Sequence, residues 1–228
     1  MAYYTTNLPF MGEKEILSPL PKSRTTAVIP TQNRPSSSGE ANAYQGGYAY
    51  STLPTIIDGQ LDYTNLANWF SGDVASVLED YADDQVEEYF IDIPKLNIEN
   101  ARIVIGGTDL DQSLIQYPGT ADPGKPGAPV IFGHSVLRQF YNPSIKNPRR
   151  YVSIFSTIMT LEPGDEITLT HRGVRYKYVM QSKTEVKPED VHILTQNYDS
   201  HQLKLVTCTP EGTYLRRGVV TAQLVTGQ

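Results

Sequence analysis

A thiol, an imidazole and a guanidinium in the second half of the chain are side chains of the kinds that carry out acyl transfer. The stretch LKLVTCTPEGTYLRRGVV (203–220) holds the only cysteine, Cys208, and two adjacent arginines, Arg216 and Arg217. A cysteine attacks as its thiolate, so a catalytic one needs a base or a cation close by. Without such a partner a lone strand cysteine is an inert core residue. Four histidines are available: His134, His171, His192 and His201. Only His134 closes an apolar strand at a glycine, in VIFGHS, where a rigid element holds the ring at its rim. His171 falls in a hairpin turn and His201 in a loop, both expected to be exposed, while His192 beside Ile193 and Leu194 reads as packing. The histidine precedes the cysteine, the reverse of the order in papain-like proteases, whose signature around the cysteine is also missing.

Strand periodicity makes the two arginines unequal. In LKLVTC, alternation puts Leu203, Leu205 and Thr207 on one face and Lys204, Val206 and Cys208 on the other. Pro210 cannot donate to a ladder, so the strand ends near Cys208, and TPEG fits a tight turn. In the next strand Arg216, Gly218, Val220, Ala222 and Leu224 share a face that is apolar after its arginine and is expected to point inward. Arg217, Val219, Thr221 and Gln223 share the mixed face, the kind that carries Cys208. Arg217 is therefore the arginine expected beside the thiol; a one-residue slip would select Arg216 instead.

Around these residues the 228-residue chain divides in two. Residues 1–86 carry four basic and ten acidic groups, whereas 87–228 carry fifteen of each, so the whole formal charge of −6 lies in the N-terminal part. The neutral remainder has no basic footprint, which excludes nucleic acid as an expected partner. Residues 1–86 read as an arm or linker of turn-forming, low-complexity sequence, with a broken amphipathic helix at 64–82. Seven acidic residues and no basic one lie between Asp73 and Glu88, a solvated face or an acidic flap near a cationic site. No run of 18 apolar residues occurs, so neither a membrane span nor a signal peptide is expected. A single cysteine excludes an intrachain disulfide and a tetrathiolate zinc site. From residue 87 the pattern is of seven or so short strands: EYFIDIPKL, ARIVIGG, APVIFGHS, a hairpin turning at Arg172 and Gly173, LKLVTC and LRRGVVTAQLV. DLDQSLIQY and RRYVSIFSTIMTL read as helices. These imply a mostly β, closed or nearly closed barrel at 87–228, with a β-sandwich as the alternative.

VTCTPEGTYLRRGVV, with VIFGHS upstream, FIDIPKLNI opening the domain, YPGTADPGKPG before the histidine strand and LEPGDEITL after it, resembles the sortases, cysteine transpeptidases of bacterial cell surfaces. The resemblance covers roughly residues 87–226. Its TCTPEG segment, with an arginine nine positions after the cysteine, is similar to the pilin-type and related branches. The Asp-Pro-aromatic lid tripeptide of the pilin type is missing. The resemblance implies a closed eight-stranded β-barrel with a few short helices and a groove at the ends of the last strands. It places the catalytic histidine on His134, the nucleophile on Cys208 and the arginine on Arg217, and makes Val206, Thr207, Val219 and Thr221 candidates to line the groove. It implies no cofactor or metal; Asp109, Asp111 and Asp122 match no calcium loop. The expected partners are proteins bearing an LPxTG-like signal and an amine acceptor, a cell-wall peptide or a pilin lysine, on the outer face of the bacterial membrane, which this chain would touch only through a span it lacks. The alternatives are a catalytically degenerate barrel that binds at the surface and a simple thiol protease. In the arm, LPFMG (8–12) is similar to the sorting signal but has Met11 for threonine, as a proline-rich segment can by chance.

Overall fold

The computed structural model describes residues 62–70, 73–80 and 87–226. The LPFMG stretch lies outside them, as does part of the acidic run before Glu88. Eight strands form one closed barrel: β1 (Glu88–Ile93), β2 (Ile98–Ile105), β3 (Leu114–Gln116), β4 (Val130–Phe132), β5 (Glu166–His171), β6 (Val174–Val186), β7 (Gln202–Thr209) and β8 (Arg216–Leu224). Around the barrel they run β1-β2-β3-β4-β7-β8-β6-β5, with β5 closing on β1. Closure leaves no sheet edge unpaired, which suits a chain with many short β-rich runs.

Alternation builds the interior. Tyr89, Ile91 and Ile93 of β1, Ile167 and Leu169 of β5, Leu203 and Leu205 of β7, and Val220 and Ala222 of β8 pack together at the barrel centre. Each set is spaced by two, so one face of every strand is sealed. The β5–β6 hairpin turns at Arg172 and Gly173, both at positive φ (50° and 78°), the combination that matches the twist of the flanking strands.

Of the two segments expected as helices, one is a strand and the other is broken into short 3-10 turns. In DLDQSLIQY the run Leu114–Gln116 is β3, pairing in parallel with β2 and antiparallel with β4. All three of its residues are buried, and a short apolar run of that kind suits a barrel stave better than an isolated turn. RRYVSIFSTIMTL forms two 3-10 turns, Arg150–Ser153 and Ile158–Thr160. Val152, Ile154, Thr157, Ile158 and Thr160 are β-branched, which costs rotamer freedom in a longer α-helix.

The second apolar cluster lies on the outer face of β4, β7 and β8. There Val130, Phe132, Val206, Cys208 and Val219 meet Leu66, Trp69 and Leu78. Leu66 and Trp69 belong to a 3-10 turn, Leu66–Trp69, whose N-cap Asn65 accepts from the Ala67 amide. Leu78 belongs to helix α1, Asp73–Asp80. Residues that the sequence groups with the arm thus cover the part of the mixed face that carries Val206, Cys208 and Val219.

Candidate active site

Cys208 and Arg217 are direct cross-strand partners on β7 and β8. The Arg217 Nη1 donates to Cys208 Sγ at 3.3 Å and to the Tyr214 carbonyl at 3.4 Å. Arg216 lies on the opposite face and is exposed. The register therefore places Arg217 with the thiol. Beyond Cys208 the chain leaves β7 through a Pro210-containing turn.

His134 arrives from the other side. β4 runs parallel to β7 with Phe132 level with Val206, so two residues further on His134 comes level with Cys208. This approach needs Gly133: a Cβ there would stand 2.4 Å from the Phe155 ring and 2.6 Å from Leu114 Cδ2. Three bonds pin the strand end. The Gly133 amide donates to the Val206 carbonyl (3.1 Å), Thr207 Oγ1 to the Gly133 carbonyl (2.9 Å) and Ser135 Oγ to the Cys208 carbonyl (2.9 Å). Among the described residues no hydrogen bond joins the His134 ring to Cys208, and His134 Nδ1 is buried without a partner.

The remaining histidines differ from expectation. His171 is buried, not exposed, because its Nε2 meets Glu87 Oε1 at 2.7 Å and its ring packs beside Tyr89. His192 is exposed rather than packed, with Ile193 taking the buried position of that turn. His201 is half-buried beside a bridge to Gly127. None of the three meets Cys208.

The site is closed. Relative exposure is 0% for Cys208, 3% for Arg217 and 5% for His134. The Trp69 ring lies over the Arg217 guanidinium, 4.6 Å from its centroid, a cation–π contact. Tyr63 stacks on Tyr214 at 3.7 Å. The Trp69 indole also donates to the Tyr63 carbonyl (2.8 Å), tying the two aromatics into one cover. Of the residues singled out for a groove, Val206 and Val219 are buried under this cover and Thr207 spends its hydroxyl on Gly133. Thr221 is half-buried between Lys204 and Ser182. The open space beside Arg217 is instead a cavity of about 260 Å³ bounded by Tyr63, Trp69, Phe70, Val191 and Tyr214. Periodicity could not single out Tyr63, Trp69 or Tyr214, although Trp69 is the only tryptophan.

Burial sets the charge states. It pushes the Cys208 thiol up to about 11, with the Arg217 guanidinium pulling the other way. It lowers His134 below its ordinary value, opposed by the carboxylates of Asp111 and Asp62. In the closed site both groups are thus neutral near pH 7. A thiol at about 11 is ionised in only about one molecule in 10⁴ at that pH, whereas an unperturbed thiol near 8.5 is ionised in about one in 30. Trp69→Ala should therefore raise the rate of Cys208 alkylation by iodoacetamide at pH 7 by about 10- to 100-fold. Circular dichroism should accompany the measurement, since losing a buried tryptophan costs about 3–5 kcal/mol. An unchanged rate in a folded variant would mean that Trp69 does not control access.

Among the described residues no three His, Cys, Asp or Glu side chains form a metal-binding group, and no helix is long and apolar enough to cross a membrane. The sortase domain family model matches residues 91–225. Similar solved structures include a Clostridium perfringens sortase D5 transpeptidase, 27% identical with a TM-score of 0.50, covering 65% of this chain and 87% of that one. Sortase A from Corynebacterium diphtheriae is 27% identical with a TM-score of 0.52, over 69% of this chain and 71% of that one. Sortase C-1 from Actinomyces oris is 26% identical with a TM-score of 0.53, over 67% and 80%. No curated protein matches the chain. The barrel order, the family match and these neighbours agree: the chain belongs to the sortase family, a family of cysteine transpeptidases that act at the bacterial cell surface.

Proposed function

We propose that this chain is an active transpeptidase that cleaves an LPxTG-like signal through a thioester on Cys208 and passes the acyl group to an amine. The observation that carries the reading is the 3.3 Å contact of Arg217 Nη1 with Cys208 Sγ. It puts a fixed cation beside the nucleophile, with His134 two residues beyond the end of the neighbouring β4. In the first half-reaction the thiolate attacks the carbonyl carbon of the threonine, and the C–N bond to the next residue breaks. The His134 imidazolium gives its proton to the leaving amine. Arg217 donates to the oxyanion as charge develops, which a dry site makes more effective than water would. In the second half-reaction an amine nitrogen attacks the thioester carbonyl, its proton passes to His134, and the C–S bond breaks.

Family membership supports the reaction class, and the closed cover supports a site that must open to admit a substrate. Burial of the thiol is also what an inert, surface-binding barrel would display, so the test must detect product. An LPxTG-like peptide incubated with the full chain should release its C-terminal fragment, and an added amine should divert the acyl product from acid to amide. Hydrolysis unaffected by amine would indicate a thiol protease. Release that persists in Cys208→Ala would remove the cysteine from the mechanism.

A further inference from the structure

Acyl transfer on the reading above requires a second substrate whose nitrogen reaches the thioester within proton-transfer distance of His134. The cavity over Arg217 is bounded by Tyr63, Trp69, Phe70, Val191 and Tyr214, none of which belongs to the segment that follows His134. A separate cavity of about 420 Å³ is lined by residues of the segment that follows His134 in the chain, the first of them Val136. Two residues span at most about 7 Å, so the backbone of this lining residue stands within that distance of the His134 backbone.

The cavity is built rather than incidental. Val136, Phe140 and Val152 form apolar walls, and Asn142, Asn147 and Arg149 supply polar groups. The frame is held by local bonds: Val136 N to Ser156 Oγ (2.9 Å), Asn142 N to Ser153 Oγ (3.1 Å), Asn147 Nδ2 to the Asn142 carbonyl (2.8 Å) and Arg149 N to Asn147 Oδ1 (3.0 Å). These bonds fix the backbone that carries Arg149 but leave its guanidinium free. Arg102, Arg138 and Arg172 each pair with a glutamate, whereas the Arg149 side chain has no hydrogen bond or ion pair among the described residues. No Asp or Glu occurs between Asp122 and Glu162, so its own segment offers no competing carboxylate. The opposite charge comes from elsewhere. Asp111 is within electrostatic reach of both His134 and Arg149, and its Oδ1 is buried without a partner.

We infer that this cavity holds the incoming amine, and that the acceptor is an amino-carboxylate, a short peptide or amino acid whose carboxylate is bound by Arg149. A planar guanidinium takes a carboxylate through two parallel bonds. The apolar walls accept the small aliphatic part, and Asp111 draws the ammonium toward His134. The ammonium gives one proton to solvent water to reach the free amine, the amine attacks the thioester, the second proton passes to the neutral His134, and Cys208 leaves as thiolate.

The inference rests on the transpeptidase reading, so the test separates the two. With an LPxTG-like donor, triglycine and triglycinamide are compared as acceptors, each rate normalised to fragment release without acceptor. Intrinsic amine reactivity cancels when the ratio in native protein is divided by that in Arg149→Ala. We expect this quotient to favour triglycine by about tenfold, with Arg149→Lys intermediate; a quotient near one overturns the inference. Binding is read independently in the Cys208→Ala chain by amide chemical shifts around Val136 and Arg149. Triglycine should bind at least about tenfold more tightly than triglycinamide, and equal affinity overturns the site even if no turnover is ever seen. Selective binding without fragment release would overturn the transpeptidase reading and leave the carboxylate site standing.

Discussion

Arg217→Ala is expected to slow thioester formation by about 10²- to 10³-fold, while Arg216→Ala changes it by less than about threefold. The larger figure corresponds to losing one donor to a developing oxyanion, about 2.7–4 kcal/mol. The contrast follows from register. Arg217 faces Cys208 directly across the β7–β8 ladder and is buried, whereas Arg216 sits opposite Thr209 and is exposed. Arg217 also packs beneath Trp69, so its removal loosens the cover as well as the site. Arg217→Lys separates the roles: it keeps the charge and loses the planar fork, and it should recover only part of the rate. The rate of C-terminal fragment release from a donor peptide measures all three. Equal losses for the two arginines would remove the special position assigned to Arg217.

His134→Gln should lower kcat/KM for the donor by about 10²- to 10⁴-fold, the range of a positioned acid–base group. Its pH profile is more diagnostic than its size. On the proposed mechanism the productive form needs thiolate and imidazolium together, yet burial holds Cys208 at about 11 and His134 below its ordinary value. The wide separation leaves that charge-separated pair a small minority of the population, at a constant fraction between the two values. The native profile should therefore be flat across neutral pH. It should fall on the acid side as the pair becomes fully protonated and near 11 as it becomes fully deprotonated. In His134→Gln the flat neutral region disappears, and residual activity climbs steadily with pH as thiolate forms. A flat neutral region that survives the substitution would assign its acid edge to another group.

The parts of the site set by strand periodicity were legible from residues alone. Period-two alternation in LKLVTC and LRRGVV separated Arg217 from Arg216, because a ladder leaves no freedom once the apolar face is chosen. VIFGHS placed a histidine at a strand end for the same reason. What could not be read depends on contacts distant in sequence. Trp69 covers Arg217 from a four-residue turn; the amphipathic pattern of 64–82 marks it as a buried residue but does not say what it packs against. His171 looked like a solvent-facing turn residue, and only Glu87, 84 positions away, makes its burial tolerable. The LIQ of β3 was short enough to fit either period, and its neighbours β2 and β4 decided it. The mixed face was expected to point outward; it does, but Leu66, Trp69 and Leu78 turn it into a second core.

The central claim is that Cys208 carries the acyl group. Intact-protein mass spectrometry after incubation with an LPxTG-like peptide and no added amine tests it most directly, with the Trp69→Ala chain run alongside to open the site. The account predicts a mass increase equal to the N-terminal acyl fragment, mapped to Cys208, larger in Trp69→Ala and lost in Cys208→Ala and when an amine is added. An adduct on another residue, or fragment release from an opened and folded chain in which Cys208 is never acylated, would contradict it.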